Sequence, residues 1–350
     1  MNRQQIDLLR KNPKLKNAEL IETHISWLLL TPDKVYKMKK DVQFSFLDFS
    51  TLAMRKFYCE HELMLNQRLA PGLYEDVVAV NASGGGLKFG QYKLDSIDYA
   101  IRMRRVAKEW EMTKMLKEGK VLLAHMDQLA EQLATFHQNT KLDKSLFNPI
   151  KELDNFSDIG NFSEILIPHF GATKMYEIMD GVKAARSFLR KHHQRFHYRR
   201  MLGFTVDGHG DLHVSNIFLE NNQPILFDCI EFNDAFRKID VLDEVAFLCV
   251  DLEAAQRPDL AERFAASYQF HNRTLLTQED EQVFDFYKCY RANVRLKVTA
   301  IKIDSLPSEA HADELIAQLH RYQEVYHRYA DKLKEYEGKI SKVPVTINEG

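Results

Sequence analysis

His209-Gly210-Asp211-Leu212-His213-Val214-Ser215-Asn216 opens a stretch, residues 203–234, in which acidic, histidine and amide residues gather around short apolar runs. Asp211 and Asn216 are five positions apart and read as loop residues. Ile217-Phe218-Leu219 follows as a strand, Asn221-Asn222 as a turn and Ile225-Leu226-Phe227 as a second strand, with Asp228 at its end. A hairpin of this size brings Asn216 and Asp228 close together at one end of the paired strands. An Asp or Asn beside glycine is often no more than a turn residue. Three such groups, in this order around one hairpin, point to chemistry.

Phosphoryl transfer needs this set of groups. One carboxylate orients an acceptor hydroxyl and takes its proton. An amide oxygen and a second carboxylate hold magnesium against the nucleotide phosphates. The order Asp, then Asn five residues later, then Asp after a short hairpin is the one protein kinases use. Asp211 is therefore the candidate catalytic residue. Asn216 and Asp228 are the candidate metal ligands, with ATP and Mg2+ as the expected cofactors. His209 reads as a brace of the loop. His213 reads as a contact for nucleotide or substrate, or as a solvated side chain.

Outward from this stretch the chain changes character. Residues 20–40 read as a β-hairpin around Pro32-Asp33-Lys34, with Val35, Lys37 and Lys39 on one face of the second strand and Tyr36 and Met38 on the other. Ser50 reads as the cap of a helix to about residue 69, ended by Pro71-Gly72. Residues 76–80 and 92–104 read as strands. Ser83-Gly84-Gly85-Gly86 between them lacks the GxxxxGK[ST] pattern and reads as a hairpin turn. From residue 105 the pattern is helical, with Leu122, Met126, Leu129, Leu133 and Phe136 as one apolar stripe. Helical patterning returns at 171–200 and at 241–337. The run Lys191-His192-His193-Gln194-Arg195-Phe196-His197-Tyr198-Arg199-Arg200 reads as a solvated basic helix end.

Composition narrows the function classes. The 350 residues suffice for two lobes, and 45% hydrophobic with 28% charged residues is ordinary for a soluble globular chain. A net charge of −2 argues against nucleic-acid binding through a global basic field. Cys59, Cys229, Cys249 and Cys289 form no CxxC pair and read as reduced, mostly buried thiols. Residues 1–16 lack the apolar core of a signal peptide. No run approaches the about 18–20 apolar residues that span a bilayer. A cytoplasmic protein with no membrane partner is expected.

His209-Gly210-Asp211-Leu212-His213 with Asn216 and Phe227-Asp228 resembles the aminoglycoside phosphotransferase family, which has a protein-kinase-like fold. The helix stretch 129–137, ending in His137, resembles the family's Leu-Ala-x-x-His-like helix. Asp240-Val241-Leu242-Asp243 resembles its Asp-Pro-x-x-Asp segment, whose second acid braces the catalytic loop. Glu22-Thr23-His24-Ile25-Ser26-Trp27, Val35-Tyr36-Lys37-Met38-Lys39-Lys40 and Phe46-Leu47-Asp48-Phe49-Ser50 resemble a subfamily of uncharacterised bacterial proteins, in which this domain is often fused to a P-loop kinase-like domain. The chain carries no such P-loop, so an activity seated there is not expected of these residues. Asp228-Cys229-Ile230-Glu231 lacks the glycine of a protein kinase's Asp-Phe-Gly, and no kinase activation switch is implied.

The resemblance implies an α+β, two-lobed fold. Residues 1–104 would form a small β-rich N-lobe, 105–340 a larger helical C-lobe and 341–350 a loose tail. It also implies a strand lysine on the nucleotide phosphates, paired with a helix glutamate. Lys37 fits that lysine, with Lys39 on the same face as runner-up. Glu62, on an apolar stripe with Cys59, Leu65 and Leu69, fits the glutamate better than Glu60, because a carboxylate there is costly unless paired. Met103 falls where the chain would cross between lobes and offer backbone to adenine. The expected activity is transfer from ATP to a hydroxyl of a small-molecule acceptor. A nucleotide-binding pseudokinase is the alternative. A metal-dependent hydrolase using His209, Asp211 and His213 is a further one.

Overall fold

The computed structural model describes residues 1–44, 47–140, 142–143, 147–306 and 312–340. The tail at 341–350 and Phe46 of the quoted N-terminal motif lie outside them. In chain order the elements are α1 (Arg3–Arg10), β1 (Glu19–Glu22), β2 (Ser26–Leu30), β3 (Lys34–Lys39), β4 (Gln43–Phe44), β5 (Leu47–Asp48), α2 (Leu52–Asn66), β6 (Tyr74–Ser83), β7 (Gly86–Gly90), β8 (Asp98–Arg104) and α3 (Met112–Lys117). They continue with α4 (Leu123–Asn139), α5 (Pro149–Ser157), α6 (Ser163–Met201), β9 (Thr205–Asp207), β10 (Ile217–Glu220), β11 (Gln223–Leu226), α7 (Asp234–Arg237), β12 (Lys238–Asp240), α8 (Val241–Ala254), α9 (Pro258–His271), α10 (Gln278–Asp304) and α11 (Ala312–Ile340). The fold class is α+β, as expected.

The chain divides into two compact units. One joins Met1–Val121 to His209–Arg237, and the other joins Leu122–Gly208 to the chain from Lys238 onward. The first is built on an antiparallel sheet in the order β1-β2-β3-β8-β6-β7. Period-two alternation on β3 decides what each face meets. Tyr36 and Met38 pack with Trp27, Leu29, Val80, Leu87 and Ala100, under Ile6 and Leu9 of α1. Val35 faces the other way, into a cluster with Cys59, Tyr74, Ile101 and Met103. Lys37 and Lys39 project from that second face toward α2. Phe218, Ile225 and Phe227 of the later hairpin pack into the same cluster. That burial is why the segment 209–237 belongs to the sheet-bearing unit, which extends beyond the residues 1–104 read as the N-lobe.

Three local readings change. Thr51, not Ser50, caps α2: its extended backbone lets Oγ1 accept the Met54 N–H at 3.2 Å, while the Ser50 N–H goes to Asp48 Oδ1 at 2.9 Å. Strand β7 was not anticipated, and residues 91–97 are not strand. Helix α1 was also missed, although Asn2 and Gln5 form its capping box. The glycine run is a hairpin turn, as expected, and its turn residues are Gly84 and Gly85, whose φ of +53° and +81° suit a hairpin joining β6 to β7. Arg55 grips both oxygens of Asp98 at 3.0 Å and fastens α2 to β8, two turns before Glu62.

In the second unit α8 is buried at every position except Glu253. Its acids must therefore be paired. Asp243 meets Arg291 of α10 at 2.7 and 2.8 Å, Glu244 meets His137 of α4 at 2.6 Å, and Asp251 meets Arg295 at 2.9 Å. Asp243, which the resemblance implied as a brace of the catalytic loop, thus gives its oxygens to a helix arginine. The basic run on α6 is also not wholly solvated. His193 is exposed, but the fully buried Arg199 bonds Asp240 at 2.8 Å and Asp280 at 2.7 Å, and Arg195 joins Asp280.

This network carries a pH signature. Burial works to raise the Asp280 carboxyl, but hydrogen bonds from Arg195 and Arg199 outweigh it and hold it down at about 2, against 3.8 ordinarily. A lowered folded value stabilises above the unfolded one and is lost as pH falls through the folded one. Between pH 4.5 and 2 the wild type should lose about 2 kcal/mol more unfolding free energy than Asp280→Asn. Urea titrations at stepped pH read this directly, and parallel curves for the two proteins would refute it.

Candidate active site

Strand β3, helix α2 and the chain after β11 each deliver charged side chains to one place within the first unit. Successive inward positions on a strand lie about 6–7 Å apart, and Glu62 spans the two lysines with one oxygen each. Its Oε1 accepts from Lys37 Nζ at 2.8 Å, and its Oε2 accepts from Lys39 Nζ. Lys37 also bonds Asp228 Oδ1 at 2.5 Å, and Lys39 also bonds Glu231 Oε1. Glu62 and Lys39 are wholly buried, Lys37 is 13% exposed and Asp228 is 41% exposed. The Asp228 end therefore opens to solvent and the Lys39 end is sealed. Burial disfavours the Lys37 ammonium, yet the charges of Asp228 and Glu62 hold it well above the ordinary lysine value. Burial likewise acts to raise Asp228, but Lys37 overrides it and keeps the carboxyl below its usual range.

The loop before the hairpin is held by its own histidines. The Asp211 N–H donates to His209 Nδ1 at 3.3 Å, so the neutral ring carries its proton on Nε2 and donates to the Phe227 carbonyl at 2.8 Å. His209 is thus a brace, as expected, and both ring nitrogens are engaged. Both nitrogens that the hydrolase alternative would use for a metal are thus spent on the loop's own backbone. Gly210 has φ of +86°, and a Cβ there would lie 2.7 Å from the Phe236 carbonyl oxygen. No other residue fits that turn without moving the backbone. His213 Nδ1 accepts the Ser215 N–H at 3.2 Å, which leaves Nε2 to face Asp211 Oδ2 at 3.3 Å. The Asn216 amide nitrogen donates to the Asp211 carbonyl at 3.0 Å and to Asp211 Oδ2 at 3.1 Å. The Asn216 side-chain oxygen is then the atom left to serve a cation.

Strands β10 and β11 pair Ile217 with Leu226, and Phe227 N–H donates to the Asn216 carbonyl at 3.0 Å, so Asn216 and Asp228 lie at the same end of the hairpin. Asp228 has φ of +65°. The residues after it are pinned one by one. The Asp228 N–H donates to the Tyr74 hydroxyl at 3.2 Å, the Cys229 N–H to Asn66 Oδ1 at 2.9 Å, and the Ile230 N–H to the His209 carbonyl at 3.1 Å.

Asp211, Asn216, Asp228, Lys37 and Glu62 are therefore all placed in this unit. Glu60 is exposed and lies 3.8 Å from Lys56 instead. Met103 is not on a crossing segment: it is the penultimate residue of β8, with Val35 and Tyr74 as its partners on the two sides. The chain leaves the sheet after Arg104. Glu231, Tyr74 and Asn66 were missed as parts of the site. Asn66, polar at the end of the α2 stripe, was the one local signal for them. All four cysteines are buried and none is in a disulfide. Among the described residues no helix is long and apolar enough to cross a membrane.

No family model matches the chain. Uncharacterised proteins of Mycobacterium tuberculosis H37Rv and Mycobacterium bovis are each 30% identical to it over 299 residues, 83% of this chain and 56% of theirs. The chain thus spans about half the length of the curated relatives it matches. Among solved structures it is similar to a choline/ethanolamine kinase family protein from Mesorhizobium loti, at 12% identity and a TM-score of 0.49, covering 93% of this chain and 94% of that one. It is also similar to an ADP-bound aminoglycoside phosphotransferase, at 16% identity and a TM-score of 0.43, covering 94% and 99%. A Plasmodium vivax ethanolamine kinase is 9% identical, with a TM-score of 0.47, covering 94% and 86%.

Proposed function

We propose that the chain is a phosphotransferase of the aminoglycoside phosphotransferase type, moving a phosphoryl group from ATP to a hydroxyl of a small-molecule acceptor in the cytoplasm. The observation that carries the reading is Lys37 Nζ, held 2.8 Å from Glu62 and 2.5 Å from Asp228. A lysine so placed beside a partly open carboxylate suits nucleotide phosphates. The donor set fits a hard divalent cation: Asn216 offers an amide oxygen, Asp228 a carboxylate, and the Lys37 ammonium already stands against Asp228 as a positive charge. Asn216 and Asp228 would hold magnesium, which would neutralise charge on the phosphates.

The chain's own residues do the rest. Lys37 neutralises phosphate oxygens and Glu62 keeps its side chain extended. Asp211, oriented by Asn216 and His213, receives the proton of the acceptor hydroxyl. The β8 end near Met103 is the backbone proposed to meet adenine.

ATP should stabilise the protein far more when magnesium is present than when it is absent. Thermal unfolding with ATP, with magnesium, and with both tests this. Equal shifts with and without the metal would defeat the metal assignment. Stabilisation by zinc alone, with no nucleotide effect, would defeat the whole reading.

A further inference from the structure

We infer that Lys39 and Glu231 are positioning residues: their buried ion pair, locked to the second oxygen of Glu62, fixes the segment 228–231 against β3 and thereby sets where Asp228 stands relative to Lys37. The inference rests on the proposed function for its consequence but not for its geometry.

Lys37 and Lys39 are two residues apart on one strand face, and Glu62 bridges them. Each lysine then reaches the same short segment, Lys37 at Asp228 and Lys39 at Glu231. The result is an unbroken chain of charges, Asp228–Lys37–Glu62–Lys39–Glu231, that leaves the segment and returns to it three residues later. Only its Asp228 end is open to solvent. Lys39 is wholly buried, Glu231 is 4% exposed, and the Lys39 ammonium also lies 5.1 Å from the centre of the Phe49 ring.

Such burial needs a reason. A buried ion pair is a poor source of stability, since apolar residues of like volume usually serve as well or better. What a charged pair adds over an apolar one is direction: the contact holds at one geometry. Here that geometry governs the loop carrying the open carboxylate. Without Lys39, Glu62 would have only Lys37 to bond. Lys37 would then be drawn toward the helix and away from Asp228. Without Glu231, the segment would keep its backbone bonds to Tyr74, Asn66 and His209 and the Asp228–Lys37 contact, but lose the second side-chain tie to the strand, at Lys39.

The test uses Lys39→Met/Glu231→Leu, which removes both charges together and leaves no unpaired one from this pair. Amide hydrogen exchange is followed by mass spectrometry on the full chain without ligand, comparing residues 228–231 with the hairpin 217–226. Exchange at 228–231 should accelerate by about tenfold or more while the hairpin is unchanged. A merely structural role would speed both segments equally, and no change at 228–231 would overturn the inference. With MgATP, the half-saturating concentration in thermal shift should rise about tenfold, with background ATP hydrolysis falling as well. If the double variant fails to fold, Glu231→Gln takes its place, since it keeps the shape and an acceptor for Lys39. Unchanged exchange and unchanged MgATP binding in that variant would equally overturn it. If the wild type itself shows no MgATP response, the proposed function fails, and the ligand-free exchange comparison still decides the positioning role.

Discussion

Asp211→Asn should lower ATP turnover by about 10²–10⁴-fold while leaving MgATP binding nearly unchanged. The asparagine can still accept the Asn216 amide hydrogen that now goes to Asp211 Oδ2, so the loop geometry survives. What it cannot do is take up a proton. Asp228→Asn should behave differently. It removes the carboxylate that Lys37 contacts at 2.5 Å and that the proposed metal needs, so binding and turnover should fall together. The measurement is paired: MgATP affinity by calorimetry, and phosphoryl transfer or background hydrolysis, on both folded variants. Full activity in Asp211→Asn would remove it from catalysis, whereas MgATP binding with no turnover in the wild type would favour the pseudokinase reading. Equal loss of binding in the two variants would make Asp211 a metal ligand or a brace.

Arg199→Met should cost about 3–5 kcal/mol of folding stability. Arg199 is wholly buried between Asp240 and Asp280, which are 5% and 0% exposed, and it also donates to the Thr274 carbonyl at 2.7 Å. Its removal leaves Asp240 buried without its arginine, while Asp280 retains Arg195 alone. Urea unfolding gives the change as a shift in midpoint at constant slope. A loss below about 1 kcal/mol would mean that water or a rearranged Arg195 replaces the guanidinium, and that the buried network is looser than the distances indicate.

Some of the molecule was legible because its determinants are local. The hairpin at 217–226 follows from two short apolar runs around Asn221-Asn222, whose φ values of +53° and +64° suit asparagine. The turn at Gly84-Gly85 follows from glycine's tolerance of positive φ, and the face alternation of β3 and the choice of Glu62 over Glu60 follow from side-chain periodicity. The role of His209 as a brace follows from its place beside a glycine turn. In each case the physics acts within a few residues, where the sequence is the structure's own record.

The rest was decided by tertiary packing. Ser50 and Thr51 are chemically near-equal caps; Thr51 caps α2 from an extended backbone, while the Ser50 N–H is held by Asp48. The basic run at 191–200 looks like a solvated surface in one dimension. Arg195 and Arg199, four apart on one face of α6, turn inward only because Asp240 and Asp280 arrive from elsewhere in the chain. Asp243 could be placed on a helix by its neighbours, but not on Arg291, forty-eight positions away. Lys37, the preferred lysine, and Lys39, the runner-up, share one face of β3, and in the structure they differ in which carboxylate of a distant segment each one meets. The sequence by itself determined which residues carry the charges and which strand or helix face presents them. Only the tertiary structure decided their pairing, because an ion pair across nearly two hundred positions depends on how the intervening chain packs, and no local propensity encodes that distance.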